Sequence, residues 1–248
     1  MQSAPNNTAT IIVPCYNEEH RFKADAFLHF LQETEDINIL FVNDGSSDNT
    51  ADVLDLFSKS APDSRVAVIS KKENQGKAEA IRTGFLQNPF STYFTGYWDA
   101  DLSTPLSEFS NLIKVFKEKP HIKVVFGSRV LLLGHDIERR PLRFLFGRVF
   151  MTAANLIFNF KVYDSQCGAK AFKTDFCAPM WEEPFLTSWL FDIELLCRIK
   201  KKYGLKTVRQ EIFEFPLEKW IEVGGSKIKI TEFFKFPFEL LNLWFRYK

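Results

Sequence analysis

The chain predicts an α/β fold with a mostly parallel central sheet flanked by helices, and three observations point to it. Short β-branched runs recur through the first half, and stretches with apolar residues at three- and four-residue spacing separate them. The residues that follow the runs are unusually polar. Alternation of the two periods is the pattern of a parallel sheet covered on both faces, where ligands sit beyond the carboxyl ends of the strands.

The strand runs are 10–13, 37–42, 66–70, 93–98 and 124–127, with helical patterns around 19–35, 49–60, 76–87 and 105–118. After the first run come Pro14, Cys15, Tyr16, Asn17 and Glu18; after the second, Asn43, Asp44, Gly45, Ser46, Ser47 and Asp48; after the fourth, Asp99, Ala100 and Asp101. Turns use these residue types for their own reasons. Three carboxylate-bearing turns on one edge also mark a candidate site.

From about residue 129 the character changes. A basic amphipathic stretch, DIERRPLRFLFGRVFMTAANLIFNF, leads to a Cys/Gly loop, DSQCGAKAF, and to a helix, SWLFDIELLCRIKKKYG, ending on Lys and Gly as helices prefer. A strand-like TVRQEIFEFP and an aromatic-basic tail over 218–248 follow. With no Pro, Gly or Ser-rich linker and no repeat, 1–248 reads as one domain with a C-terminal amphipathic elaboration.

Composition sets limits on function. With 248 residues, 46% hydrophobic and 25% charged, disorder, collagen and disulfide scaffolds are excluded. A formal net charge of +1 supplies no field for gripping nucleic acid. Residues 1–128 carry 12 basic and 17 acidic side chains against 20 and 14 in 129–248, so the second half is the basic one. The 27 phenylalanines interleave there with cations, as on membrane-surface segments, although a Phe-rich core accounts for them equally. Cys15, Cys167, Cys177 and Cys197 form no metal-ligand spacing and read as reduced thiols of a cytosolic protein. The N-terminus lacks a signal-peptide pattern, and the apolar stretch 142–160 is interrupted by Arg143, Arg148, Asn155 and Asn159, so no spanning helix is expected.

The sharpest motif is YWDADLS at 97–103. Two aspartates flanking one residue at a strand end can hold a hard divalent cation, which binds phosphate oxygens and offsets the charge of a departing diphosphate. Alone, such a pair is most often a solvated turn. Taken in order with PCYNEE, FVNDGSSDNT and NQGKAEAIRTG, it resembles the signatures of family 2 glycosyltransferases with the GT-A nucleotide-sugar fold. GSR at 127–129, ERRPLR, DSQCGAKAF, WLFDIELL and the GSK at 225–227 extend the likeness to dolichyl-phosphate β-glucosyltransferases and other polyprenyl-phosphate glycosyltransferases.

The resemblance implies a nucleotide-sugar-binding half over about 8–130 and an acceptor and membrane-surface half over about 131–248. It implies that Pro14, Tyr16, Glu18 and Asp44 hold nucleobase and ribose, although Asp44 or Asp48 also suits a helix cap. Asn74, Gly76 and Lys77 open a helix whose N–H groups suit an anion. Asp99 would face ribose or sugar, and Asp101 would be the principal ligand of Mg²⁺ or Mn²⁺. Ser103 stands where some polyprenyl-phosphate mannosyltransferases carry Gln, which leaves a third protein ligand unassigned. Asp192 would serve as a base toward a hydroxyl acceptor, or position cations or cap its helix if the acceptor is a phosphate.

A polyprenyl phosphate carries a charge near −1.5 to −2, and Arg is its best-matched donor. Arg129 and Lys227 lead the candidates, followed by Arg139 and Arg140. The stretches 142–160 and 230–248 would lie on the bilayer. An N-terminal membrane anchor, common among related eukaryotic enzymes, is not read here; it is dispensable, replaced by interfacial helices, or supplied by a membrane partner protein. The function implied is inverting, metal-dependent transfer of glucose from UDP-glucose to a dolichyl-type phosphate on the cytosolic membrane face. The alternatives are a family 2 enzyme using another nucleotide sugar or a hydroxyl acceptor, and a nucleotide-sugar-binding module without catalysis.

Overall fold

The computed structural model describes residues 8–61, 64–138, 141–223 and 230–248. Strands β1 (Ala9–Cys15), β2 (Ile37–Asn43), β3 (Val66–Ser70), β4 (Phe94–Trp98) and β5 (Val124–Ser128) alternate with helices α1 (Ala24–Glu33), α2 (Thr50–Ser60), α3 (Lys77–Leu86) and α4 (Ser107–Glu118). The second half supplies β6 (Asp136–Glu138), α5 (Pro141–Phe158), β7 (Ala169–Lys173), α6 (Thr174–Cys177), α7 (Phe191–Tyr203), α8 (Leu205–Gln210), β8 (Ile212–Pro216), β9 (Lys219–Ile221) and α9 (Ile230–Tyr247). Helix α1 begins later than its pattern, because the Arg21 and Phe22 N–H groups close a turn on the Glu18 carbonyl at 2.9 and 2.8 Å.

Seven strands share one sheet in the order β3-β2-β1-β4-β7-β5-β8, parallel except for β7, while β6 and β9 form a separate parallel pair. The chain moves outward from β1 to β3 and then returns to place β4 on the other side of β1. That reversal opens a crevice between the carboxyl ends of β1 and β4. Strand β7 runs the opposite way between β4 and β5, with Trp98 opposite Ala169 and Phe126 opposite Lys170.

Two expectations change. The motif DSQCGAKAF is a loop only in its first half, and its second half is β7. The run TVRQEIFEFP divides: Gly204, at φ +90°, ends α7, α8 takes the next six residues, and only the alternating IFEFP pairs with β5.

Both faces of the sheet are covered, which is why the strands read as nearly continuous apolar runs. Ile11, Val13, Ile39 and Phe41 point toward α1, α2 and α4, whereas Ile12, Leu40, Val42 and Tyr97 point toward α3, α5, α7 and α9. Much of the phenylalanine content is core. Phe27 of α1 is wholly buried, with its ring centroid 5.0 Å from Phe41 and 5.4 Å from Phe22. The four cysteines are buried free thiols, and burial pushes Cys167 up to about 11. Phe27→Ala should cost about 3–5 kcal/mol through the cavity it leaves. Urea unfolding measures this, and a loss near zero would mean that α1 does not close this face.

Candidate active site

Strands β1, β2, β4 and β5 are mutually parallel, so their carboxyl ends share one edge of the sheet. Because β7 is inverted, its amino-terminal loop arrives at that same edge. Loops from both halves of the chain therefore meet there.

The loops after β1 and β2 are laced together. The Asn17 N–H donates to Ser46 Oγ at 3.0 Å, and Asn17 Oδ1 accepts from the Ser47 N–H at 2.9 Å. Tyr16 is 36% exposed and faces outward, whereas Glu18 is buried with its carboxylate gripped by Arg21 at 2.7 and 3.0 Å. Asp44 is buried as well. Its oxygens accept the Gln75 and Gly76 N–H groups at 3.2 and 2.7 Å and the ammonium of Lys71. Asp44 thus shapes the entry to α3, while Asp48 takes the capping task at α2, accepting the Thr50 N–H at 3.0 Å. Gly45 adopts φ +62° against the backbone of Glu73 and Asn74, a close approach that only glycine permits.

Gly76, at φ +92°, starts α3 and presents Lys77, which pairs with the carboxylate of Asp99. Partial desolvation beneath the loops works against both charges, although each side chain keeps more than a third of its surface exposed. The carboxylates of Asp99 and Asp192 nevertheless hold Lys77 above the usual lysine range, and Lys77, with Lys170 and Arg129 behind it, holds Asp99 below the usual carboxylate range. The pair keeps both charges across the neutral range. Asn74 is exposed in the loop that leads to Gly76.

Asp101 is half-buried, and its Oδ1 accepts the Ser103 N–H at 2.9 Å. No hydrogen bond reaches its Oδ2 from the described residues. The loop is fixed elsewhere: Lys23 donates to the Asp101 carbonyl at 2.9 Å, Trp98 Nε1 to the Thr104 carbonyl at 2.8 Å, and the Ile221 N–H of β9 to the Ser103 carbonyl at 2.9 Å. A partly exposed carboxylate with one oxygen oriented by a backbone N–H suits a hard divalent cation. Ser103 contributes its backbone here, and no group of three or more His, Cys, Asp or Glu side chains forms a metal cluster among the described residues.

Beneath this loop lies a buried polar floor. Asp192 opens α7 and accepts from Tyr97 Oη and from Lys170 Nζ, the latter at 3.1 Å. Lys170 is wholly buried, donates also to the Cys167 carbonyl, and sits 4.7 Å from the Phe126 ring centroid. Burial and the Asp192 carboxylate push the Tyr97 phenol well above its usual range, so it remains a donor. Gly168 lies directly against Asp99, where a Cβ would collide with the carboxylate.

Arg129 follows β5. Asp164 takes its backbone N–H at 3.1 Å, its Nε at 2.7 Å and its Nη2 at 2.8 Å, and the guanidinium lies 5.2 Å from the Trp220 ring centroid. Burial would weaken its charge, but Asp164 holds the guanidinium firmly cationic. Arg139, Arg140 and Lys227 lie outside the described residues. Pro14, Tyr16, Asp99, Asp101, Lys77 and Arg129 therefore gather on one edge, with Asp192 below. Tyr97, Asp164, Gly168 and Lys170 join them without having been singled out. All four stood inside quoted motifs, YWDADLS and DSQCGAKAF, where an aspartate heading a Cys/Gly loop was the available signal.

A family model described as glycosyl transferase family 2 matches residues 10–187. A dolichyl-phosphate beta-glucosyltransferase of Trichomonas vaginalis is 30% identical over 246 residues, covering 94% of this chain and 70% of its own length. The Homo sapiens dolichyl-phosphate beta-glucosyltransferase is 27% identical, covering 91% of this chain and 71% of its own. Among solved structures, glucosyl-3-phosphoglycerate synthase from Mycobacterium tuberculosis in complex with Mn²⁺, uridine diphosphate and phosphoglyceric acid is similar with a TM-score of 0.68 at 18% identity, covering 96% of this chain and 78% of that one. The same synthase with Mg²⁺ and uridine diphosphate gives a TM-score of 0.65 at 18% identity, covering 96% and 79%. These structures share the GT-A fold with this sheet. With the family model matched over most of its length, the chain belongs to glycosyl transferase family 2 and is a glycosyltransferase resembling the dolichyl-phosphate beta-glucosyltransferases.

Proposed function

We propose that the chain transfers glucose from UDP-glucose, with inversion, to a dolichyl-type polyprenyl phosphate at the cytosolic membrane face. The observation that carries this reading is the meeting of two charge systems at one sheet edge: the Lys77–Asp99 pair with Asp101 on the donor side, and Arg129 on the acceptor side. The names of the relatives support glucose and dolichyl phosphate as substrates. Pro14, Tyr16, Glu18, Asp44, Asn74 and Gly76 line or shape the nucleotide end, and Asp99 faces the ribose and sugar.

Asp101 would hold Mg²⁺ or Mn²⁺, which when bound supplies positive charge to the diphosphate oxygens of the leaving UDP. Lys77 and the first N–H groups of α3 face the same diphosphate. Arg129, with Arg139, Arg140 and Lys227 as further cations, would orient the acceptor phosphate. One phosphate oxygen attacks the anomeric carbon as the bond to UDP breaks on the opposite side, and orientation of the two reactants lowers the barrier. Little deprotonation is needed, because a phosphomonoester is largely dianionic at pH 7. Asp192, already committed to Tyr97 and Lys170, serves the floor of the site and is not required as a base.

The acceptor half adds surface chemistry. Leu145, Val149, Leu156 and Ile157 of α5 and Phe238, Leu241 and Phe245 of α9 are exposed, and the two helices meet through the stacked rings of Phe150 and Phe236, 4.0 Å apart. Among the described residues no helix is long and apolar enough to cross a membrane. These faces support an interfacial placement in which the apolar side chains enter the headgroup region.

Three outcomes test this reading. Asp101→Asn should abolish sugar transfer while leaving the circular dichroism spectrum unchanged, and EDTA should do the same to the parent chain; full activity in EDTA would exclude the metal site. Asp192→Asn should retain single-turnover rates within about tenfold on polyprenyl phosphate, less than the 10²- to 10⁴-fold loss typical of a missing base. Rates are taken per folded molecule, since Lys170 loses its counter-ion, and a thousandfold fall with unchanged substrate binding would favour a hydroxyl acceptor. The protein should also sediment with anionic liposomes and be released by salt, which screens exposed charge; failure to sediment at low salt would remove the interfacial assignment.

A further inference from the structure

Arg129 is oriented by Asp164, and Asp164 is itself oriented by a group remote from the crevice. Glu214 of β8 places its two oxygens on consecutive backbone donors: Oε2 accepts the Tyr163 N–H and Oε1 accepts the Asp164 N–H, each at 2.7 Å. A carboxylate bound in this way has one orientation, and it fixes the peptide planes from which the Asp164 side chain projects. Strand β8 anchors the clamp, since Glu214 stands opposite Phe126 in the register with β5, three residues before Arg129. Arg148 braces the same corner, donating from Nη1 to the Tyr163 carbonyl at 2.7 Å with its guanidinium 3.9 Å from the Tyr163 ring centroid.

The clamp has an energetic cost. Burial pushes the Glu214 carboxyl up despite its two backbone hydrogen bonds. A partly buried acidic group whose two oxygens serve backbone donors within a strand is a local conflict of the kind that functional sites leave in a fold. Asp164 meanwhile occupies two of the five guanidinium donors of Arg129, Nε and one on Nη2, and thereby sets the plane of the group.

We propose that Glu214 is a positioning residue for acceptor binding: by clamping the backbone of Tyr163 and Asp164 it sets the plane in which the Arg129 guanidinium meets the acceptor phosphate. The proposal rests on the reading of Arg129 as a phosphate-binding group. Glu214 touches no reactant. Its effect passes through Asp164, so it acts on the acceptor and leaves the donor alone.

The test is steady-state kinetics of the full chain with UDP-glucose and a short polyprenyl phosphate. Glu214→Gln sets an amide NH₂ against one of the two backbone N–H groups, and it should raise the acceptor KM about 10- to 100-fold, the loss expected when a hydrogen bond to a charged group is misaligned. The donor KM should stay within about twofold. Asp164→Asn should act in the same direction. In an Arg129→Ala background, Glu214→Gln should add no more than about twofold, because no guanidinium remains to be aimed. An unchanged acceptor KM in Glu214→Gln overturns the proposal, as does a double variant whose losses multiply, or an equal loss of donor and acceptor binding together with a lower Tm. Should Glu214→Gln not fold, Glu214→Asp, which keeps the charge and withdraws it by one methylene, carries the same comparison. A parent chain that transfers nothing to polyprenyl phosphate removes the acceptor reading and this proposal together. An active parent with an indifferent Glu214→Gln removes this proposal alone.

Discussion

The approach of Gly168 to the carboxylate of Asp99 is the contact on which the site depends. A sheet of parallel strands delivers only carboxyl-terminal loops to its functional edge. Here the inverted β7 delivers an amino-terminal loop as well, and it does so from the second half of the chain. Any side chain at 168 would displace Asp99, and with it the ion pair to Lys77. The same loop carries Asp164, which holds Arg129, and its strand carries Lys170, which holds Asp192. The groups proposed for donor and acceptor are thus joined through one short segment of covalent chain, 164–170.

The electrostatics of that junction are nearly balanced. Lys77, Lys170 and Arg129 stand against Asp99, Asp192 and Asp164, each cation paired with one carboxylate. Where the charges are buried, as at Lys170 and Asp192, a partner of opposite sign offsets part of the cost of taking each from water. Asp101 stands outside these pairs as a further negative charge at the rim. In the proposed reading, that carboxylate is where a divalent cation would add positive charge.

The parallel half of the fold was legible because its strands and helices each carry their own period, and the crevice loops because their composition departs from that period. Strand β7 was not legible. Its partners lie more than forty residues away on either strand, and no local pattern encodes antiparallel insertion between two parallel neighbours. Lys170 shows the same difficulty at the level of one residue: between Ala169 and Ala171 it alternates as a solvent-facing lysine would, yet both faces of this sheet are covered and the ammonium is buried. Glu214 likewise looks like the outward position of an alternating edge strand. Asp44 and Glu18 were visible as polar turn residues, but their engagement by Gly76, Gln75 and Arg21 depends on where neighbouring loops fall.

The burial of Lys170 has a consequence for how this chain can change over evolutionary time. Removing one member of a buried ion pair typically costs about 3–5 kcal/mol, whereas replacing both by well-packed neutral groups is often close to neutral. Total stability of a domain is about 5–15 kcal/mol, so the single step is a large fraction of what is available. Lys170 and Asp192 are therefore locked into joint inheritance: a lineage that abandons one must pass through a poorly folded ancestor or exchange both within a short interval. The route to a different floor beneath the same sheet edge is a valley rather than a slope.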